Sequence, residues 1–181
     1  MNEEVTIATA AEMRVLGNRL ASVLRAGDLV ILSGPLGAGK TTLTQGIGDG
    51  LSVRGPITSP TFVIARVHPS LVPARGLAAS GPALVHADAY RLGSALELDD
   101  LDLDADTATS VTVVEWGEGL AEGLAADRLE VAITPAAVPH AVQADGAPPE
   151  DGDAPRTVMI AGVGERWHGI ELPPADLADR L

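Results

Sequence analysis

Apolar residues near the start of the chain recur with the period of a helix. Between residues 9 and 26, five of them fall on one helical face: Met13, Leu16, Leu20, Val23 and Leu24. Thr9 followed by Glu12 has the pattern of a capping box, and Gly27 would end the helix. We therefore predict a helix over residues 9–26.

The next apolar run is short and is followed by a turn rich in glycine. Residues 28–33 are mostly apolar, and after the turn Leu43, Ile47 and Leu51 recur every four residues within residues 40–51. A short apolar run fits a buried strand, whereas a repeat of about four residues fits a helix. The pattern predicts a strand, a loop and a helix in this order.

The rest of the chain alternates between predicted strands, helices and irregular segments. The predicted strands cover residues 61–67, 83–88, 111–115, 128–134 and 156–161, and the predicted helices cover residues 117–127 and 173–181. Residues 68–82 contain two Gly and three Pro and are predicted to form a loop. Residues 135–155 are rich in Ala, Pro, Gly and acidic residues, so we predict a disordered acidic insertion there. We expect an α/β fold with a mostly parallel central sheet flanked by helices.

Length and composition narrow the class of protein. The 181 residues are 46% hydrophobic, which is enough to fill one core, so we expect a single domain over residues 1–181. The net charge of −13 disfavours extended contact with nucleic-acid phosphates. The chain has no Cys, which excludes disulfides and thiolate metal sites. Because the sequence shows neither a membrane span nor a signal peptide, we expect a cytoplasmic protein without membrane contact.

The glycine-rich turn matches a phosphate-binding motif. Residues 34–41 have the sequence GPLGAGKT, which satisfies G-x-x-x-x-G-K-[ST] between a predicted strand and a predicted helix. Glycines let backbone amides surround a phosphate, and the following helix adds its positive N-terminus. Lys40, the only Lys of the chain, would neutralise the β and γ phosphates, and Thr41 would supply a hydroxyl to Mg²⁺. The competing interpretation is a glycine-rich turn that ends in a solvated Lys.

Two later strands each end in a carboxylate. Asp88 follows one apolar run and Glu115 follows another. In open α/β sheets the carboxyl ends of the strands hold the ligand, so both side chains are candidates for binding Mg²⁺ or orienting an attacking water. We prefer Glu115 as the Mg²⁺ ligand. The alternative for each carboxylate is that it caps the helix that follows.

Other polar and aromatic residues near these carboxylates are open to two interpretations. The hydroxyls of the segment SPTF, at residues 59–62, could reach Mg²⁺ or the water, or could be satisfied within a proline turn. Trp116 could pack near a nucleotide, present a surface to a partner or be buried in the core. His86 lies two residues before Asp88, but the four histidines lack the spacing of a metal site, so we interpret them as structural.

Taken in order, four segments resemble the TsaE proteins, the small ATPase component of bacterial tRNA threonylcarbamoyladenosine synthesis. The segments are GPLGAGKTT at residues 34–42, SPTF at residues 59–62, HADAYRL at residues 86–92 and VEW at residues 114–116. Very many enzymes share the first segment alone, whereas the ordered set of four is much more specific. The resemblance implies a fold of the P-loop NTPase type.

The resemblance also implies roles for individual residues. It implies that ATP phosphates are held by Gly37, Ala38, Gly39, Lys40, Thr41 and Thr42, and that Mg²⁺ is held by Thr41 and Glu115. It implies that Lys40, Asp88 and Glu115 are catalytic, with Asp88 needed for hydrolysis or for ordering the site. Tyr90 and Arg91 would support that segment, and Arg156 would approach the nucleotide.

As partners, the resemblance implies TsaB and TsaD homologues. In such a complex TsaD would transfer the threonylcarbamoyl group to adenosine 37 of tRNAs, and this chain would hydrolyse ATP without strong tRNA binding of its own. One alternative is a small P-loop kinase, although the predicted loop over residues 68–82 holds only Arg75 as a lid arginine. Another is a nucleotide-dependent binding switch, although the sequence has no Asn-Lys-x-Asp element for guanine.

Overall fold

The computed structural model describes residues 1–72, 81–99, 109–136 and 155–174. Within them, the strands are β1 (Asn2–Ile7), β2 (Leu29–Ser33), β3 (Ala65–His68), β4 (Ala83–Asp88), β5 (Ser110–Glu115), β6 (Arg128–Pro135) and β7 (Arg156–Val163). The helices are α1 (Ala10–Ala21), α2 (Lys40–Gly50) and α3 (Ala95–Asp99). None of these described helices has the length and apolar character needed to cross a membrane.

The seven described strands form one sheet in the order β1-β7-β6-β2-β5-β4-β3. Its four central strands, β6, β2, β5 and β4, run parallel, whereas β1, β7 and β3 join the edges antiparallel. This architecture confirms the predicted α/β fold with a parallel sheet centre flanked by helices. The register pairs Glu115 of β5 with Leu32 of β2 and with Asp88 of β4. The loop after β2 and both carboxylates therefore meet at one edge of the sheet.

The core is divided between the two faces of the sheet. Alternate residues of β2 belong to different clusters: Val30 and Leu32 join the larger cluster, which contains α1 and α2, and Leu29 and Ile31 join the smaller one. The smaller cluster also contains Leu98 of α3. The sheet is thus covered by helices on both faces.

Glycines bring the backbones of α1 and α2 into direct contact. A Cβ atom on Gly46 would lie 2.2 Å from the carbonyl oxygen of Arg14, and one on Gly17 would lie 2.3 Å from the carbonyl oxygen of Leu43. Both distances are far shorter than van der Waals contact, and the obstacle is backbone, which cannot rotate away as a side chain can. This packing fixes the distance of α2, and of the loop at its N-terminus, from α1.

Two predicted elements differ from the observed ones, and the local backbone conformation explains both differences. The strand predicted over residues 61–67 begins only at Ala65, since the preceding residues form a turn and Ile64 has a φ of 68°. The helix predicted over residues 117–127 is replaced by turns and a short 3-10 helix at Glu122–Leu124. Gly119 has a φ of 78°, a left-handed value that interrupts a right-handed helix.

The sequence pattern does not predict β1 or α3. β1 is an edge strand in which polar residues alternate with Val5 and Ile7, and α3 is only five residues long. Helix α1 is capped as predicted, because Thr9 Oγ1 accepts a hydrogen bond from the Glu12 amide at 3.1 Å, but it ends at Ala21. Short or edge elements have too few apolar residues for a clear period.

Three sequence predictions fall wholly or mainly on residues that the structure does not describe. The predicted acidic insertion is described only at its ends, where the amide of Ala136 donates to the carbonyl of Pro155 at 2.8 Å. Residues 73–80 of the predicted loop and residues 175–181 of the predicted C-terminal helix lie outside the described ranges.

We expect Gly46→Ala to destabilise the fold, because its methyl group would meet the backbone of α1. Overpacking of this kind typically costs about 1–3 kcal/mol. The free energy of unfolding, measured by urea denaturation, checks this value. Gly123→Ala is the matched control, since a Cβ atom there would have no neighbour within 4 Å. Equal stabilities of the two variants would contradict the close contact between the helices.

Candidate functional site

The loop between β2 and α2 has a backbone that only glycine adopts without strain. Gly34, Gly37 and Gly39 have φ values of 138°, 76° and 108°. Gly39 is the N-cap of α2, and no described side chain caps this helix end. The first amides of α2 and the positive end of its dipole are therefore available to an anion. This is the geometry of a phosphate-binding loop.

A cavity of about 270 Å³ lies over this loop at the carboxyl edge of the sheet. Its lining comprises Leu36, Gly37, Ala38, Gly39, Lys40, Thr41, Thr42, Ser59, Thr61, Asp88, Glu115 and Trp116. The structure thus brings the predicted phosphate-binding residues, the two predicted carboxylates and part of the SPTF segment around one space.

Lys40 is buried and points back to its own loop. Its Nζ donates hydrogen bonds to the carbonyl oxygens of Gly34 at 2.7 Å and Pro35 at 2.9 Å. The same nitrogen lies 3.6 Å from the centre of the Trp116 ring, within the range of a cation–π interaction. Burial lowers the pKa of Lys40, and the negative charges of Glu115 and then Asp88 oppose this shift. The ammonium is thus held among neutral acceptors, an aromatic face and two carboxylates.

Thr41, Glu115 and His86 form a chain of hydrogen bonds beneath the cavity. Thr41 Oγ1 donates to Glu115 Oε1 at 2.8 Å and approaches Oε2 at 3.2 Å. His86 Nε2 lies 2.8 Å from the same Oε1 atom. Both Glu115 and His86 are buried. The carboxylate of Glu115 is therefore held from two sides, by the helix that follows the loop and by the neighbouring strand.

Asp88 connects β4 to the SPTF segment. Its Oδ2 atom accepts hydrogen bonds from the hydroxyls of Thr61 and, at 3.2 Å, Ser59, and its Oδ1 atom accepts from the Tyr90 amide at 2.9 Å. The two hydroxyls also bond to each other at 2.7 Å. Among the described residues, the Asp88 side chain caps no following helix, since the backbone amide that donates to it, that of Tyr90, belongs to a turn. Its carboxylate instead places two hydroxyls at the margin of the cavity.

Arg156 lies behind the loop rather than in the cavity. It is buried, and its Nε atom would be 3.8 Å from a Cβ atom placed on Gly39. Met13 of α1 is the other neighbour on this side of Gly39. Arg156 is therefore close to Gly39 of the loop but is not among the residues that line the cavity.

Sequence reasoning assigned no chemical role to His86, and it left the position of Trp116 open. His86 and Asp88 are two residues apart on β4, so their side chains lie on the same face of the strand. This spacing is the feature of the sequence that indicates a position for His86 close to the site. Trp116, which has a φ of 60°, is placed over Lys40 and packs against Tyr90 with ring centres 5.1 Å apart.

The donor atoms of the cavity fit a hard cation. Among the described residues there is no cluster of three or more His, Asp or Glu side chains that could hold a metal by itself. The hydroxyl of Thr41 and the carboxylate of Glu115 offer adjacent oxygen atoms next to the phosphate-binding loop. Mg²⁺ prefers oxygen ligands and commonly takes one or two from the protein and the rest from phosphates and water. Thr41 and Glu115 are therefore suitable ligands.

Comparison with curated proteins gives several long matches. The chain is 57% identical over 156 residues to the tRNA threonylcarbamoyladenosine biosynthesis protein TsaE of Streptomyces coelicolor, covering 86% of this chain and 93% of that protein. It is 52% identical to the protein of the same name from Mycobacterium tuberculosis, covering 70% of this chain and 75% of that one. The Bacillus subtilis protein of this name is 31% identical over 86% of this chain.

The fold and a family model agree with these matches. The crystal structure of Bacillus subtilis YdiB is similar with a TM-score of 0.64 and 26% identity, covering 92% of this chain and 89% of that one. The model of the family described as "Threonylcarbamoyl adenosine biosynthesis protein TsaE" matches residues 7–141, which include all four segments of the sequence resemblance. The chain belongs to the TsaE family.

Proposed function

We propose that this protein is a Mg²⁺-dependent ATPase of tRNA threonylcarbamoyladenosine biosynthesis that works in a complex with TsaB and TsaD homologues. The names of its relatives support the pathway. The observation that supports the activity is the convergence of an uncapped helix N-terminus, one ammonium and two carboxylates around a single cavity. Phosphoryl transfer requires placement and charge stabilisation rather than covalent chemistry from the protein.

The loop and Lys40 would bind the phosphates of ATP. Amides at the start of α2 present positive charge to the cavity, and the Lys40 ammonium is within the same space. Among the described residues, the direct contacts of the Lys40 ammonium are with loop carbonyls and an aromatic face, which are weaker partners than a phosphate oxygen. We infer that phosphate binding draws the Lys40 side chain away from Gly34 and Pro35.

Thr41 and Glu115 would hold the metal ion. When bound, Mg²⁺ would neutralise charge that develops on the phosphate oxygens. Glu115 is buried at the end of β5 and accepts a hydrogen bond from Thr41, so its carboxylate needs little reorganisation to act as a ligand. In this assignment the Thr41 oxygen and the Glu115 carboxylate, which lie next to each other at the cavity, would be the protein ligands of the metal.

Asp88 would act through the hydroxyls that it holds. Both of its oxygens already accept hydrogen bonds, from Ser59 and Thr61 on one side and from the Tyr90 amide on the other. Its negative charge thus fixes the SPTF segment against the end of β4. Ser59 and Thr61 line the cavity, where their oxygens can orient an attacking water.

An exposed apolar rim beside the cavity is consistent with a protein partner. We define this apolar rim as Leu36, Phe62 and Tyr90, whose exposed fractions are 91%, 84% and 63%. Exposed apolar side chains grouped at a functional cavity are typical of interaction sites. The net charge of −13 disfavours a tRNA backbone as the occupant, so tRNA would be bound by the partners. The structure does not test the lid arginine of the kinase alternative, because Arg75 lies outside the described residues.

We expect Lys40→Ala and Glu115→Ala each to lower ATP hydrolysis at least about 100-fold in the presence of the TsaB and TsaD homologues. The first variant removes the ammonium and the second removes a metal ligand, and each such group stabilises the transition state by several kcal/mol. Phosphate release measures the rate. Glu118→Ala removes a nearby carboxylate that is exposed and does not line the cavity, and it should keep the wild-type rate. Normal turnover by either site variant would refute the assignment.

We expect Phe62→Ala to weaken binding to a complex of the TsaB and TsaD homologues about tenfold or more, as removal of an aromatic anchor does in many interfaces. Titration calorimetry with the purified partners measures the affinity. Leu96→Ala is the control, because Leu96 is 76% exposed but lies on α3 outside the cavity lining. If both variants bind the partners as the wild type does, the apolar rim is not the interface.

A further inference from the structure

His86 is a buried polar residue whose contact no step of the proposed reaction explains. It lies on β4 with no exposed surface, and its Nε2 atom is 2.8 Å from Oε1 of Glu115 on β5. Its other ring nitrogen, Nδ1, has no hydrogen-bond partner among the described residues. Burial of an imidazole with one nitrogen unsatisfied costs free energy that an apolar side chain at this position would not. A purely structural position would favour an apolar residue.

The sheet register explains how His86 reaches Glu115. Asp88 is directly opposite Glu115, and His86 is two residues earlier on the same face of β4. Diagonal neighbours on adjacent strands are within reach of long side chains. The contact therefore depends on the sheet itself and not on a loop, so its geometry is rigid.

The hydrogen bonds to Glu115 are distributed unequally between its two oxygens. Oε1 accepts from Thr41 at 2.8 Å and faces His86 Nε2 at 2.8 Å, whereas the one contact of Oε2 with a described residue is the longer one of 3.2 Å to Thr41. An ionised carboxylate can only accept, so Nε2 of His86 is the donor in this pair. Oε1 thus has two short hydrogen bonds, and Oε2, with one long contact, has more capacity left for another ligand.

We propose that His86 is a positioning residue that fixes the carboxylate of Glu115 so that Oε2 is presented to the divalent cation. This inference rests on the proposed function, because it takes Glu115 as the metal ligand. His86 contributes through Nε2 alone, and its effect is on the affinity of the metal–nucleotide complex. Outer hydrogen bonds to metal ligands commonly change metal affinity 10- to 100-fold.

Three substitutions of His86 distinguish the effect of its hydrogen bond from the effect of its packing. The side-chain amide of His86→Gln can reach the position of Nε2, the amide of His86→Asn reaches only the position of Nδ1, and His86→Leu has no donor. For each variant, calorimetry gives the affinity for ADP in EDTA and in excess Mg²⁺, and the ratio of the two affinities is the readout. We expect the Asn and Leu variants to lower this ratio about 10- to 100-fold, with metal-free affinity within about twofold of the wild type. The Gln variant should restore the ratio to within about threefold.

The inference is wrong if the Asn and Leu variants keep the wild-type ratio of affinities. It is equally wrong if the Gln variant lowers this ratio as much as the Asn variant does. It is also wrong if His86→Leu lowers the ratio equally in a Glu115→Gln background, since the effect must pass through Glu115. If the Leu variant fails to fold, the affinity ratios of the Gln and Asn variants still test the inference. A wild-type protein that shows no gain from Mg²⁺ would refute both proposals. One that shows this gain but never hydrolyses ATP with its partners would refute the proposed activity and leave the role of His86 intact.

Discussion

The parallel pairing of β5 with β2 and β4 is the constraint on which the candidate site depends. It places Glu115 opposite both Leu32 and Asp88, just where the chain leaves β2 to form the glycine-rich loop. A slip of one residue in either pairing would turn a carboxylate to the opposite face, since side chains alternate along a strand. The buried apolar residues of β2 and β5, which belong to both core clusters, prevent such a slip. The hydrophobic core thus specifies the chemistry at the edge of the sheet.

The electrostatic balance of the site rests on one ammonium. Asp88 and Glu115 are both buried, and burial of two carboxylates is unfavourable unless charge and hydrogen bonds compensate. Lys40 supplies the positive charge, and its pKa is lowered by burial against the opposing effect of the two carboxylates. Hydroxyls, an amide and an imidazole supply the hydrogen bonds. Among the described residues that line the cavity, the positive charge available to a phosphate lies at the loop amides and at Lys40.

The sequence predicts those parts of the site that are formed by short stretches of neighbouring residues. The glycine-rich motif and the strand-ending carboxylates are local features, and the fold brings all of them together as expected. The spacing of His86 and Asp88 places both on one face of β4, but their contact partners depend on the register of β4 with β5, which the sequence does not reveal. The approach of Arg156 to Gly39 is a contact between residues far apart in sequence, so it could not be derived from the place of Arg156 at the start of a strand. The helix predicted over residues 117–127 does not form, because one glycine in a left-handed conformation, Gly119, interrupts it despite a favourable apolar pattern.

The two carboxylates differ in how far their surroundings can move. Glu115 is held by a helix and a neighbouring strand, both of which are packed in the core. Asp88 is held by a turn that contains exposed Phe62 and ends at Ile64, a branched residue in a left-handed conformation. Such strain persists only where neighbouring contacts maintain it, and here they include the bond from the Asp88 amide to the Ile64 carbonyl at 2.8 Å and the bond from the Ile64 amide to the Pro60 carbonyl at 2.7 Å. A partner that contacts the apolar rim would therefore act on Asp88 and its hydroxyls, while Glu115 stays where the sheet holds it.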